Sequence, residues 1–430
     1  MRVLITTLAL DSHFFNTVPI AWALRTAGHE VRVASQPDLM ESITRAGLTA
    51  VPVGPDLNLM EQNREADGGD QPGYGFGYNI AETDPEKLTW EYVRDTLKTY
   101  AHIAELAANQ QTLEDLARLT DSWRPDLVIW DAMTYTGPIA AKASGAAQAR
   151  LVFGTDHWAR MRSLFLRLRE EQAPGDREDG LGDWMRGRLE GLGLDPAKAF
   201  GEELVYGQRT IDPMPEFLRV PGEPTNRIPV RPVSYNGRSV VPDWVHETPK
   251  RPRVFLTLGL TLPEANHQGF PVYNLLKAAA DLDVELITTV GAGADPSEVP
   301  GLDKLPENVR LVDFVPLNEV LPSCSAIIHH GGGGTLQNSL RHGTPQIIVP
   351  GWLWDEKATA QALAGEGAGL CIDPTEFTAD SLSESLGRVL DEPGFREQAG
   401  RLRDELLARP TPHDIVPELE ALAAEGGSPA

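Results

Sequence analysis

Short apolar runs alternate with helix-patterned stretches in two separate series along this chain, and few architectures accept that arrangement. RVLITT at 2–7 is followed by a polar stretch, a helical pattern through PIAWALRTAG and a second apolar run, VRVAS, at 31–35. Pro19 suits a helix's first turn and Gly28 suits a helix's C-terminal cap. Strand, helix and strand within about 35 residues imply a parallel pair joined by a right-handed crossover. The pattern continues with a helix over about Leu97–Leu119 and the strands LVIW at 127–130 and ARLVFG at 149–154. From about 167 to 250 it gives way to charged, Gly-rich and Pro-rich sequence, the expected place of a linker. It restarts with VFLTLG at 254–259, a helix through VYNLLKAAADL, and the strands VELITTV, VRLVDFV, AIIHH and QIIVP, before helices interrupted at Pro410 and Pro412. The expectation is two doubly wound α/β domains facing each other, with ligands at the carboxyl ends of the strands, in the cleft between them.

Charge narrows the function. The 430 residues carry 38 basic and 62 acidic side chains, a formal charge of −24. A nucleic-acid binder or a protein docked on an anionic membrane needs the opposite balance. Only Cys324 and Cys371 are present, so no disulfide framework is implied and a reducing cytosol fits. MRVLITTLAL lacks the long apolar core of a signal peptide, and no run approaches the roughly 20 apolar residues a bilayer demands. The expectation is a soluble, cytoplasmic protein that handles small molecules.

AIIHHGGGGTLQNSLRHG is the strongest local signal: a buried strand ends in two histidines and four glycines before a helix from about Thr335. Glycines admit an anion close to backbone N–H groups, and a helix N-terminus adds unpaired donors, so a phosphate cradle is expected. An imidazole from His329 or His330 can donate to a diphosphate oxygen, and the sequence leaves open which does. The pattern is neither Walker A nor the dinucleotide fingerprint. Near the first strand's end, Ser12-His13-Phe14-Phe15 places an imidazole at the mouth of the cleft. Asp131, following LVIW, lies at a carboxyl end on the same sheet, where it can orient His13 and stabilise its imidazolium. No His, Cys and carboxylate cluster has metal-ligand spacing, and Asp281-Leu-Asp283 reads as a turn. The glycine- and aromatic-rich region 56–84 reads as a loop able to cover an apolar acceptor. Trp352 and Trp354 flank the stretch before Asp355.

These stretches together resemble glycosyltransferase family 1. The likeness runs through SHFFNTVPIAWALRTAGHEVRVAS, LVIWDAMTYTGPIAAKASG, FLRLREEQ, REDGLGDW, RPVSYNGRSVVPDWV, VFLTLG, FVPLNEVLP and HHGGGGT. Within that family it is strongest to the bacterial enzymes that attach TDP-activated deoxysugars to polyketide aglycones, notably the macrolide aminosugar transferases of the desosaminyl type. The resemblance implies the GT-B fold, two facing Rossmann-like domains with an inter-domain cleft. It implies an inverting, metal-independent transfer with no cofactor beyond the nucleotide-sugar co-substrate. His13 would be the base on the acceptor hydroxyl and Asp131 its partner. His329, His330, Gly333, Gly334 and Thr335 would hold the diphosphate, with Thr257 and Gly259 facing it. Val315 and its neighbours Phe314, Pro316 and Leu317 would border the nucleobase, and Asp355 and Glu356 would meet the sugar hydroxyls. Glu356 and Leu317 stand where many members have Gln, and a solvated Glu356 is the expectation from sequence alone.

The expected division is an acceptor-binding domain over 1–225, a linker over 226–250, a nucleotide-sugar domain over 251–400, and C-terminal helices over 401–430 packing back toward the first domain. Desosaminyl-type transferases often require a separate helper protein, and because FLRLREEQ and the charged segment after it resemble theirs, the resemblance implies one here; a homodimer is left open. Two competing readings share the fold: a nucleotide-sugar epimerase, which would need no acceptor, and a noncatalytic helper of a true transferase.

Overall fold

The computed structural model describes residues 1–58, 81–222, 226–259, 282–289, 307–351 and 354–426. Residues 59–80 of the loop expected to cover the acceptor (56–84), all but the last residue of the helix expected through VYNLLKAAADL, and Trp352 and Asp281 fall outside them. Among the described residues the first sheet contains β1 (Arg2–Thr6), β2 (Glu30–Ser35), β3 (Thr49–Pro52), β4 (Leu127–Asp131), β5 (Ala147–Leu151), β6 (Arg209–Asp212) and β7 (Arg227–Pro229). The second contains β8 (Arg253–Thr257), β9 (Glu285–Thr289), β10 (Val309–Val312), β11 (Cys324–His329), β12 (Gln346–Ile348) and β13 (Gly369–Cys371). Their orders are β3-β2-β1-β4-β5-β6-β7 and β10-β9-β8-β11-β12-β13, and the pairs are parallel. Both orders reverse direction beside the first strand of the sheet, which opens a crevice above the carboxyl ends of β1 and β4 and of β8 and β11.

Three sequence expectations shift. The first helix runs from Asp11 to Thr26, so Pro19 lies inside it and His13 sits in its first turn rather than in a loop. Phe14, Val18, Ala21 and Leu24, spaced as one helical face, are buried against the sheet. That burial outweighs the one hydrogen bond Pro19 cannot donate. The stretch expected as one helix is two, Trp90–Ala107 and Gln110–Trp123, because Asn109 accepts the Thr112 N–H at 3.1 Å and caps a new start. The supposed linker region supplies structure to the first domain. Helices His157–Glu170 and Gly180–Gly191 pack on the helix Trp90–Ala107 within the first domain's core, and β7 pairs with β6 with Ile228 buried, so the linker starts after Val230 rather than at 226.

A boundary at 400 likewise falls inside the single helix Pro393–Leu407, whose Ala399, Leu402 and Leu406 share a cluster with Leu336 and Leu340. Ala132, Val152, Met214 and Leu218 of the first domain join the same cluster. Two chain crossings bridge the domains there. Arg231 N–H donates to the Pro410 carbonyl at 2.6 Å and its guanidinium to the Leu407 carbonyl at 3.0 Å. Beyond them the last helix, Val416–Glu425, lies on the first domain, with Ile415, Val416, Leu419 and Leu422 in the core beside Val3, Ile129 and Ala149. Among the described residues no helix is long and apolar enough to cross a membrane.

Candidate active site

The cleft between the domains encloses a cavity of about 510 Å³. Its first-domain wall carries His13, Met133 and Phe153 among apolar side chains including Leu8, Leu10, Ile103 and Leu106. Its second-domain wall carries Thr257, Gly259, Val315, His330, Gly333, Gly334, Thr335, Asp355 and Glu356.

β1 and β4 are neighbours in register, Thr6 beside Trp130, so the helix that follows β1 brings His13 over the last residue of β4. His13 Nδ1 is 2.8 Å from Asp131 Oδ2, with the carboxylate 2% exposed. The other oxygen, Oδ1, accepts the Met133 N–H at 2.9 Å. A carboxylate only accepts, so Nδ1 carries the proton and Nε2 keeps its lone pair. A hydroxyl brought to Nε2 meets a base whose tautomer is already set.

Opposite, β11 ends at His329 and Gly332 leads into the helix Gly333–His342, which has no side-chain N-cap. Gly333, Gly334 and Thr335 of its first turn line the cavity, and N–H groups at a helix start have no helical partner. A Cβ on Gly332 would stand 2.7 Å from His330 Nε2, so glycine is the residue that lets the loop close over that ring. The two histidines separate in role. His330 borders the cavity; His329 does not. His329 is fully buried, its Nε2 2.8 Å from Gln346 Oε1 and its Nδ1 accepting the Gly331 N–H at 3.1 Å. With both nitrogens engaged inside the protein, His329 shapes the loop, and its expected contact with diphosphate is corrected: the partner sits 17 residues on, on β12, invisible to local reading.

Burial pushes His329 down to about 4 with Gln346 acting the other way, and pushes His330 down to about 3 with His329 adding to it. Both are neutral at pH 7, so each can donate one N–H without placing a cation in the cleft. Stability follows. The unfolded chain takes up protons near the ordinary value of 6.5 while the folded one resists, so stability is full above about pH 6.5 and falls as pH drops toward 4. The loss is on the order of 3 kcal/mol for His329 alone. The melting temperature is expected to fall steeply between pH 6.5 and 4, and a His329→Asn variant, less stable at pH 7, is expected to show a shallower slope. Equal slopes would contradict the assignment.

Glu356 is 6% exposed, which corrects the expectation of a solvated side chain; its Oε1 lies 3.6 Å from His330 Nε2. Asp355 faces the cavity, but its Oδ2 also accepts the Thr155 N–H of the first domain at 2.9 Å. Trp354 holds a φ of 51°, a left-handed backbone that costs a bulky residue about 1–3 kcal/mol unless its surroundings impose it. Val315 is buried with Phe314 40% exposed beside it at the cavity's edge. Cys324 is buried with its thiol pushed up to about 12 by desolvation, so it is inert as a nucleophile. Sequence reading missed Phe153, whose ring centroid is 4.3 Å from that of His13, because nothing in ARLVFG marks it as more than strand.

One wall of the cleft thus carries a His-Asp pair and the other a glycine-rich helix start, on two parallel-sheet domains. Residues 22–259 match the family model described as "Erythromycin biosynthesis protein CIII-like, N-terminal domain", and residues 273–422 match its C-terminal counterpart. The chain belongs to this erythromycin biosynthesis protein CIII-like family, and it is a glycosyltransferase of the GT-B fold. It is similar to aclacinomycin-T 2-deoxy-L-fucose transferase of Streptomyces galilaeus, 45% identical over 99% of this chain and 97% of that one. It is also similar to tylactone mycaminosyltransferase of Streptomyces fradiae, 45% identical over 99% of this chain and 93% of the other. Among solved structures, glycosyltransferase VinC in complex with dTDP superposes with a TM-score of 0.88, at 45% identity and covering 99% of this chain and 100% of that one.

Proposed function

We propose that the protein moves a deoxysugar from a TDP-sugar to a hydroxyl of a polyketide aglycone, inverting the anomeric carbon without a metal. The observation that carries this reading is the His13–Asp131 pair at 2.8 Å, facing the glycine-rich loop across one cavity. His13 Nε2 takes the hydroxyl proton and the acceptor oxygen attacks the anomeric carbon in line. The N–H groups of Gly333, Gly334 and Thr335, with neutral His330, receive the charge that develops on the departing diphosphate. The apolar first-domain wall suits a hydrophobic acceptor. The relatives named for 2-deoxy-L-fucose and mycaminose transfer, and the dTDP held by VinC, support the donor class. The relatives are named as transferases, which favours this reading over an epimerase of the same fold. A cytoplasmic location and a helper protein contacting the region around 165–184 belong to the same reading.

Titration calorimetry with TDP and UDP, each with and without magnesium, tests the donor half. Micromolar binding that prefers TDP and ignores magnesium is the expected result. Absence of binding by either nucleotide, with or without a candidate helper, would remove the donor assignment.

A further inference from the structure

Phe153 stands where the two walls of the cleft meet. It follows β5 by two residues, and its ring lies against His13 with centroids 4.3 Å apart and planes tilted by 53°. Its carbonyl faces the anion cradle so closely that a Cβ on Gly333 would come within 2.9 Å of it. From the second domain Trp354 reaches the same ring edge-on, centroids 6.4 Å apart at 83°, and rests on Trp158 at 5.5 Å. Trp158 in turn packs on Tyr100 at 3.8 Å, so the indole has a rigid bed. One residue on, the Asp355 carboxylate accepts the Thr155 N–H. The segment Trp354–Asp355 is thus docked on the turn 153–158, and the left-handed backbone at Trp354 is what aims its ring there.

The Asp131 bond fixes one nitrogen of His13 but permits the ring to tilt about that bond. The tilted Phe153 ring packed against the imidazole limits that freedom. We propose that Phe153 is a positioning residue that sets the His13 ring for proton removal, and that Trp354 holds Phe153 in place from the nucleotide-binding domain, so that occupancy of the donor site is felt at the base. This inference rests on the reading of His13 as the acceptor base.

The test has a spectroscopic arm and a kinetic one. With histidine Cε1 labelled, the His13 resonance is identified among the ten histidines by its disappearance in His13→Gln. Adding TDP is expected to move it in the wild-type protein. In Phe153→Leu and Trp354→Leu the movement is expected to be lost although TDP still binds, and Trp354→Phe is expected to restore it. In turnover, Phe153→Leu is expected to lower kcat by about 10–100-fold with donor KM within about threefold, the signature of a misplaced reacting group. Phe153→Met serves if the leucine variant does not fold. A wild-type kcat and a wild-type TDP response in the Phe153 variants would overturn the inference. If the TDP response is lost in the variants while the wild-type protein transfers no sugar to any acceptor, the coupling stands and the transferase reading falls, so the two failures read differently.

Discussion

His13→Ala is expected to lower kcat by about 10²–10⁴-fold, the usual worth of a positioned general base, with TDP affinity unchanged within about threefold. The separation follows from geometry: the imidazole belongs to the first-domain wall, and the glycine-rich helix start proposed to hold the diphosphate belongs to the second. Asp131→Asn is expected to be nearly as damaging. Both carboxylate oxygens accept, one from His13 and one from the Met133 N–H, whereas an amide has a single oxygen. Its NH2 must face either the imidazole, which forces the wrong tautomer, or a backbone N–H, which repels it. Initial rates with both substrates saturating, set beside calorimetry with TDP, measure both effects. Near-normal turnover by His13→Ala would remove it from the mechanism.

Arg162→Leu is expected to destabilise the first domain by about 3–5 kcal/mol, because it strips a buried carboxylate of its counter-charge. Arg162 is fully buried and grips Asp179 with two nitrogens, at 2.6 and 3.0 Å, and Glu202 with Nε at 2.9 Å and Nη2 at 2.6 Å. Asp179 is 2% exposed and also caps the helix Gly180–Gly191 through the Gly182 N–H. Burial pushes the Asp179 carboxyl up, but the Arg162 hydrogen bond and charge outweigh it and hold it below the usual range. The single variant therefore leaves the buried Asp179 and its neighbour Glu202 without their shared counter-charge, at the residue that caps a helix start. Arg162→Leu with Asp179→Leu is expected to recover part of the loss, since apolar groups of similar volume often replace a buried ion pair without cost. Unfolding in urea, followed by both near- and far-UV signals, measures it. A loss below about 1 kcal/mol would place this network with exposed ion pairs, which contribute little.

Residues that sit at strand ends were legible. The positions of His13 and Asp131 follow from the βα rhythm, because in a parallel sheet chain order fixes which end of a strand faces the ligand. The glycine loop was legible as a run of glycines after a strand; Gly331 holds a φ of 111° and a Cβ on Gly332 would meet the His330 ring. What stayed hidden depends on partners far along the chain. His329 and His330 are adjacent and alike in sequence, yet Gln346 on the neighbouring strand turns one inward and leaves the other at the cavity. Glu356 reads as a surface residue until the second domain folds around it. The segment 167–229 reads as linker because charge dominates it, but Asp179 and Glu202 share the buried guanidinium of Arg162, so part of that charge is drawn into the fold. The contacts of Phe153 with His13 and with Trp354 depend on how two domains meet, which no local periodicity encodes.

The last helix carries a consequence for how the protein is made and remade. During synthesis the ribosome releases Ile415, Val416, Leu419 and Leu422 after every strand of both sheets, yet these side chains complete the core over Val3, Ile129 and Ala149. The domain that emerges first is therefore finished last, and until then it presents an apolar strip that a chaperone or a neighbouring nascent chain can hold. The same wiring constrains hybrids between relatives: a crossover placed only in the linker after Val230 transplants, along with the second domain, a piece of the first domain's interior. Such hybrids call for a second crossover, between Leu407 and Ile415, that returns the native terminal helix to its own bed.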